Sequence, residues 1–321
     1  MRSKVKVISI IIFISWAYLS NITFSEEKRG KLRLSIKLTG GWGYTSIGDI
    51  NSHLESFNNY VNNYARYYGR ESITGGIEKL DNFMHDWEAE LRLELSPKFA
   101  LGISTSGASH KKNESSLTYR EGVLSAPEHP IYGEWIYTYT FKSEVKAQMP
   151  VRLSIYYRLP FVFKTNIIFY SGIGYYSANV SKYEKLDLSI DSEYPSWRWE
   201  HWKTDHKANL GFHGGIGMEC SLTKNLALVL EAQGRYVKIK NLRGTLQRED
   251  SHNGGKIYEE KGTLWYFKWA WYGKGYYRLD ISEESPSRWG TPPGYSISNV
   301  RKAIIDLSGY SIRIGLRIRL F

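Results

Sequence analysis

Apolar and polar residues alternate one for one along five stretches of this chain. Leu32, Leu34, Ile36 and Leu38 take turns with Arg33, Ser35, Lys37 and Thr39. Trp87, Ala89, Leu91, Leu93 and Leu95 do the same with Glu88, Glu90, Arg92 and Glu94. The rhythm returns in 144–155, 226–235 and 311–320. Two residues is the side-chain period of an extended strand, so each stretch has one apolar and one polar face. A helix would scatter the same residues around its axis. The fold class that follows is all-β.

Three further segments, 99–109, 166–181 and 208–222, are less strict but rich in Gly, aromatic and branched residues. Together the pattern predicts eight strands, over 31–45, 84–96, 99–110, 143–159, 166–181, 208–222, 226–242 and 302–321. Their connections alternate in length. Ser96-Pro97-Lys98, residues 160–165 and Thr223-Lys224-Asn225 are short; 46–83, 111–142, 182–207 and 243–301 are long. Short turns at one end and long loops at the other are the asymmetry of a transmembrane β-barrel. The expectation is an eight-stranded antiparallel transmembrane β-barrel with long extracellular loops and both termini on the periplasmic side.

Composition narrows the field. The 321 residues include one cysteine, Cys220, too few for a disulfide framework or a Cys-rich zinc site. A mean hydropathy of −0.42 and the lack of a long apolar run argue against a bundle of membrane helices. Residues 1–6 carry Arg2, Lys4 and Lys6; 7–19 are apolar; Thr23-Phe24-Ser25 supplies small residues before Glu26. That is a secretory signal peptide over 1–25, leaving 26–321 as the barrel domain. Export makes nucleic acid an improbable partner for the net charge of +11.

Period two does not say which row faces outward. A soluble barrel turns Leu34 and Ile36 inward; a membrane barrel turns them to lipid, where a midplane charge costs ~2–4 kcal/mol. The loop asymmetry favours lipid. So do Gly211, Gly215 and Gly217, which share the polar row with His213 and Glu219 and suit a narrow interior. Trp42, Tyr44, Tyr156, Tyr157, Phe161, Phe163, Tyr175, Tyr176 and Tyr236 lie near strand ends, where interfacial girdles sit.

With these strands, Pro150-Val151-Arg152-Leu153-Ser154 before Tyr156-Tyr157, Ser171-Gly172-Ile173-Gly174-Tyr175-Tyr176 and the terminal Phe321, the chain resembles the eight-stranded outer-membrane β-barrel proteins, the OmpA/OmpX/OmpW-like group. The resemblance is one of pattern. It implies a bacterial outer-membrane location, contact with outer-membrane lipid, and Phe321 as part of the signal read by the barrel-assembly machinery.

The polar rows define one constellation: Arg33, Lys37, Glu88, Glu90, Arg92, Glu94, Lys146, Arg152, Glu219, Glu231, Arg235, Arg313, Arg317 and Arg319. Strand one lies between strands two and eight, so the glutamates of strand two meet the basic rows across a narrow interior. Arg–carboxylate pairs would fill and stiffen it. The alternative is a narrow or gated pore whose basic excess favours anions. The long loops carry no basic excess, so the surplus belongs to the strands and the short-turn end.

The loops hold the remaining signals. Leu54, Phe57, Val61, Tyr64 and Tyr68 recur at helical spacing, with Asp49 as N-cap; the helix is either a lid or packs on its neighbours. Trp197–Trp202 and Trp265–Tyr272 are aromatic clusters that either bind a surface ligand or pack on extended strands. No metal spacing, cofactor motif or nucleophile motif stands out, so no catalytic or metal residue is assigned. The function expected is structural or surface-recognition, with the pore as first alternative and a lipid-modifying enzyme as a less favoured one.

Overall fold

The computed structural model describes residues 33–67, 73–107, 109–122, 134–148, 150–162, 164–190, 196–251 and 255–320. The signal-peptide segment, Tyr68, Phe163 and Phe321 lie outside them. The described residues form seventeen strands and one α-helix. In chain order these are β1 (Arg33–Gly48), α1 (Asp49–Tyr67), β2 (Ile73–Gly75), β3 (Phe83–Glu94), β4 (Phe99–Ser106), β5 (Ser109–Gly122), β6 (Glu134–Ala147), β7 (Val151–Pro160) and β8 (Thr165–Ile190). There follow β9 (Ser196–Thr204), β10 (Lys207–Ser221), β11 (Leu226–Tyr236), β12 (Lys238–Lys240), β13 (Arg243–Asp250), β14 (Tyr258–Trp271), β15 (Lys274–Ser282), β16 (Tyr295–Lys302) and β17 (Ile304–Arg319). The helix is not long and apolar enough to cross a membrane.

Eight strands pair antiparallel in a closed ring: β1, β3, β4, β7, β8, β10, β11, β17 and back to β1. Strand β1 lies between β3 and β17, with Lys37 opposite Glu90 on one side and Arg317 on the other. The three short connections fall where the sequence puts them. Leu95 N–H bonds Phe99 O, Phe161 N–H bonds Thr165 O and Leu222 N–H bonds Leu226 O.

The other end of the ring continues as sheet. The long connections expected as loops contain β2, β5, β6, β9 and β13 to β16. Strand β8 is 26 residues long and carries β7 against its first half and β6 against its second. Strands β9 and β13 extend the sheet, and β14 joins β13 to β15 and β16.

The expected single strand 143–159 is therefore two. Ala147 faces Ala178 and Val151 faces Tyr175, so four steps on one chain match three on the other. That is one extra residue, a bulge, and Pro150 there has no N–H to give the ladder. One extra residue exchanges the faces. Val145 is 3% exposed and Val151 53% exposed, although they share parity. A second bulge separates β9 from β10: Lys203 pairs with Ser181 and Lys207 with Ala178.

Strand β17 keeps its in–out alternation throughout, although its pairing with β1 slips by one residue between Asp306 and Gly309. Its inner row begins with Ile305 and Leu307 and ends with Ser311, Arg313 and Arg317. Its outer row begins with Asp306 and Ser308, partly exposed, and ends with the exposed Tyr310, Ile312, Ile314, Leu316 and Ile318. Apolar side chains thus change sides along one strand whose alternation does not break. The ring is polar inside and apolar outside; the extension is the reverse.

The main apolar core sits in the extension. It joins Leu117, Phe141, Val180, Trp202, Ile239, Leu246, Leu264 and Ile305 to the helix residues Ile50, Leu54, Phe57 and Val61. Helix α1 begins where the chain turns sharply at Gly48, whose φ of +81° favours glycine and whose Cβ would strike Ile304 O. Asp49, expected to cap the helix, directs its carboxylate elsewhere. It accepts from Arg301 Nη1 and Nη2 at 2.6 and 2.7 Å and from Ile304 N–H at 2.8 Å. Of the two readings of the aromatic clusters, packing holds for Trp202 and Phe267, both fully buried.

Candidate functional site: the charged interior of the ring

Ten of the predicted interior residues converge. Lys37, from β1, is fully buried, and its ammonium meets three carboxylates: Glu231 at 2.6 Å, Glu88 at 2.8 Å and Glu90 at 3.0 Å. Arg92 gives Nε to Glu90 at 2.7 Å and Nη1 to Glu219 at 2.5 Å, and its guanidinium lies 3.9 Å from the centre of the Tyr156 ring. Arg313 spans Glu88 at 2.7 Å and Glu231 at 3.1 Å, with Asp86 at 3.6 Å. Arg152 pairs with Glu88 and donates to Gln233 at 3.0 Å. Arg317 pairs with Glu94 and reaches Glu219 at 2.8 Å.

Strand geometry explains the convergence. Residues two apart on one strand share a face, and a narrow ring brings all inner faces to a common centre. An unpaired charge there would be costly, so Arg92, Arg313 and Arg317 are each divided between carboxylates and Arg152 between Glu88 and Gln233. The buried set holds five Lys or Arg against six Asp or Glu. Arg158, at the short-turn end, adds a contact to Glu94 at 3.2 Å. The basic surplus expected for this interior is therefore not buried in it.

The other predicted residues lie at its margins or outside. Arg319 is near the short-turn mouth, 3.6 Å from Glu94. Arg235 is at the upper end; its guanidinium donates to Leu307 O at 2.9 Å and to Thr45. Arg33 is exposed at the start of β1. Lys146 is a correction: beyond the Pro150 bulge it points out of the extension and pairs with Glu144 at 3.0 Å.

Sequence reasoning missed Asp86, Arg158 and Tyr170, and it assigned Tyr156 and Tyr176 to interfacial girdles. Both tyrosines are buried inside, and Tyr156 donates to Glu90. Parity carried the signal. Asp86 precedes Glu88 by two, and Tyr156 and Arg158 follow Arg152 and Ser154 on the same row. His213, considered beside Glu219, instead meets Ser154 Oγ through Nε2 at 2.8 Å. Gly172 makes room for it, since a Cβ there would lie 2.9 Å from the imidazole. The His213 Nδ1 is buried without a protein partner, so no carboxylate orients the ring as a base.

The extension holds a second ionic centre. Glu200 receives Arg278 at 2.8 Å, Arg198 at 2.9 Å and Arg248 at 3.3 Å. Burial pushes its carboxyl up, but Arg278, Arg248 and Arg198 hold it well below the usual carboxylate range. On α1, His53 is fully buried, with Nδ1 2.7 Å from Tyr277 O and Nε2 2.9 Å from Lys182 Nζ. Nδ1 must donate to the carbonyl, so Nε2 accepts from the ammonium. Burial and Lys182 both hold the imidazole pKa well below its ordinary value. Among the described residues no three His, Cys, Asp or Glu converge as metal ligands.

No protein-family model matches the chain, and no curated protein is similar to it.

Proposed function

We propose that the chain is an outer-membrane β-barrel protein of the eight-stranded kind, sealed by its own ion pairs and carrying its recognition surface on the β extension. One observation carries the reading: on β17 the apolar row moves from the inner to the outer face while the alternation of buried and exposed residues runs on unbroken. A protein wholly in water has no reason to turn Tyr310, Ile312, Ile314, Leu316 and Ile318 outward around a salt-bridge core. A chain that leaves lipid and enters water does. From Tyr310 to Leu320 the exposed row runs ten residue steps. At ~3.4 Å each and a tilt of ~40°, that is roughly 26 Å of height, against ~25 Å for the apolar band of such barrels.

The interior speaks for a plug. Lys37, Arg92, Arg152, Arg313 and Arg317 have at most 1% exposure, and their charge is matched. An anion path needs a hydrated route and a basic surplus, and neither lines this ring. The role left to the molecule is at the surface, on a rigid platform above the membrane. Conductance in planar bilayers tests this. Purified protein that inserts should give no discrete current steps. Stable, anion-selective steps would replace this reading with the pore.

A further inference from the structure

At the far end of the extension lies a cleft of about 230 Å³ between α1, β6, β8, β9, β14, β15 and β16. Trp269 and Trp271 of β14 and Tyr295 of β16 line it, together with Tyr139 of β6 and Tyr276 of β15. Tyr139 and Tyr276 are both half-buried, with part of each open to the cleft. Burial pushes the Tyr276 hydroxyl up to about 12, so it remains a donor at any physiological pH.

Two ionic side chains border these rings, each with capacity to spare. Arg198 gives one terminal nitrogen to Glu200 at 2.9 Å and is 45% exposed. Glu184 takes Lys182 on Oε2 at 2.6 Å, which leaves Oε1 as an acceptor. Glu200 is saturated by three arginines. The lining holds one arginine against two glutamates, so it has no basic surplus. Aromatic rings beside spare donors and acceptors suit one kind of ligand: a ring with a C–H face and equatorial hydroxyls.

We infer that this cleft binds a neutral pyranose residue of a surface or environmental glycan, stacked on Trp269 or Trp271 and hydrogen-bonded by Arg198, Glu184 and the two tyrosines. Size agrees. Drug-sized ligands occupy ~300–1,000 Å³, so this volume takes one sugar ring with the rest of the chain outside. A phosphate or acidic sugar would need a basic surplus, which the lining lacks. The inference rests on the proposed function only for the direction the cleft faces.

The test uses the full chain folded in a detergent that carries no sugar. Methyl glycosides of glucose, galactose, mannose and N-acetylglucosamine, and their linked trisaccharides, are titrated against tryptophan fluorescence and saturation-transfer NMR. At least one should bind saturably. Trp271→Ala and Glu184→Gln should each weaken it about tenfold or more. Trp271→Phe should retain part of the binding, and Tyr258→Ala, outside the cleft, all of it. Heat-dependent gel migration reports whether each variant is folded. No saturable binding up to ~10 mM, where millimolar affinities still register, overturns the inference. So does binding that both cleft variants leave unchanged. Neither result touches the conductance test, so the two readings fail separately.

Discussion

Arg313 should behave as a keystone. Its guanidinium has no exposure and touches Glu88 at 2.7 Å, Glu231 at 3.1 Å and Asp86 at 3.6 Å. Arg313→Met keeps most of the volume and removes the charge. Glu88 would keep Lys37 and Arg152, and Glu231 would keep Lys37, but Asp86 would lose its ion-pair partner. The buried balance would move from five cations and six anions to four and six. Breaking a buried pair from one side costs ~3–5 kcal/mol, because the uncompensated charge stays behind. At ~1.4 kcal/mol per decade, even the lower figure shifts the folded fraction more than a hundredfold. Adding Glu231→Gln brings the buried set to four cations and five anions, again one anion in excess, and should recover part of the loss. The coupling in that double-mutant cycle should be ~1–3 kcal/mol. Denaturant unfolding in lipid vesicles, followed by tryptophan fluorescence and gel migration, measures all four corners. A loss below ~1 kcal/mol for Arg313→Met, or strict additivity in the cycle, would refute the reasoning. In an open, hydrated channel both outcomes are expected, together with altered ion selectivity.

Ile314, at the middle of the outer row and 55% exposed, should cost ~2–4 kcal/mol as Ile314→Arg, while Tyr310→Arg near the rim costs ~0–1, both read by folding into vesicles. His53 has its pKa lowered by burial and Lys182. The unfolded chain therefore binds a proton that the folded chain does not, and stability falls as pH drops below ~6.5, by at most ~1.4 kcal/mol per pH unit. Hydrogen exchange in α1 should rise over that range, and His53→Gln should flatten the response; an unchanged profile would contradict it. Glu200, held low by its arginines, acts in a separate window, its contribution being lost only below the ordinary carboxylate pKa of ~4.3. Asp49→Ala should free the start of α1 from Arg301 and Ile304. Because Arg301 is 43% exposed, the cost should be ~1–2 kcal/mol, seen as faster proteolysis in α1.

The ring was legible because five of its strands alternate strictly, the other three are rich in Gly, aromatic and branched residues, and its three turns carry Pro, Thr and Asn at the breaks. The extension was not. Ser109–Gly122 reads Ser-His-Lys-Lys-Asn-Glu-Ser-Ser-Leu-Thr-Tyr-Arg-Glu-Gly, almost wholly polar, and becomes a strand only because β6 pairs with it along its length. Long-range pairing of this kind leaves little local trace. The misplacement of Lys146 has a different cause. Alternation is a local rule, and one inserted residue at the Pro150 bulge reverses it. Arg152, on the ring side of that bulge, was placed inside correctly by the same rule. The exchange of apolar and polar rows along β17 is visible in the sequence, as Ile305 and Leu307 give way to Ile312 and Ile314. Its meaning appears only when the in–out alternation is known to continue through the slip against β1.

That exchange is the centre of the account, and nitroxide scanning of β17 addresses it most directly. With Cys220 replaced by serine, single spin labels would be placed at even positions from 304 to 320 in protein reconstituted in vesicles. Collision with oxygen reports lipid, and collision with a nickel chelate reports water. Labels at 312, 314, 316 and 318 should favour oxygen, with the maximum near 314, and labels at 304, 306 and 308 should favour nickel. Nickel access along the whole row would contradict the membrane reading.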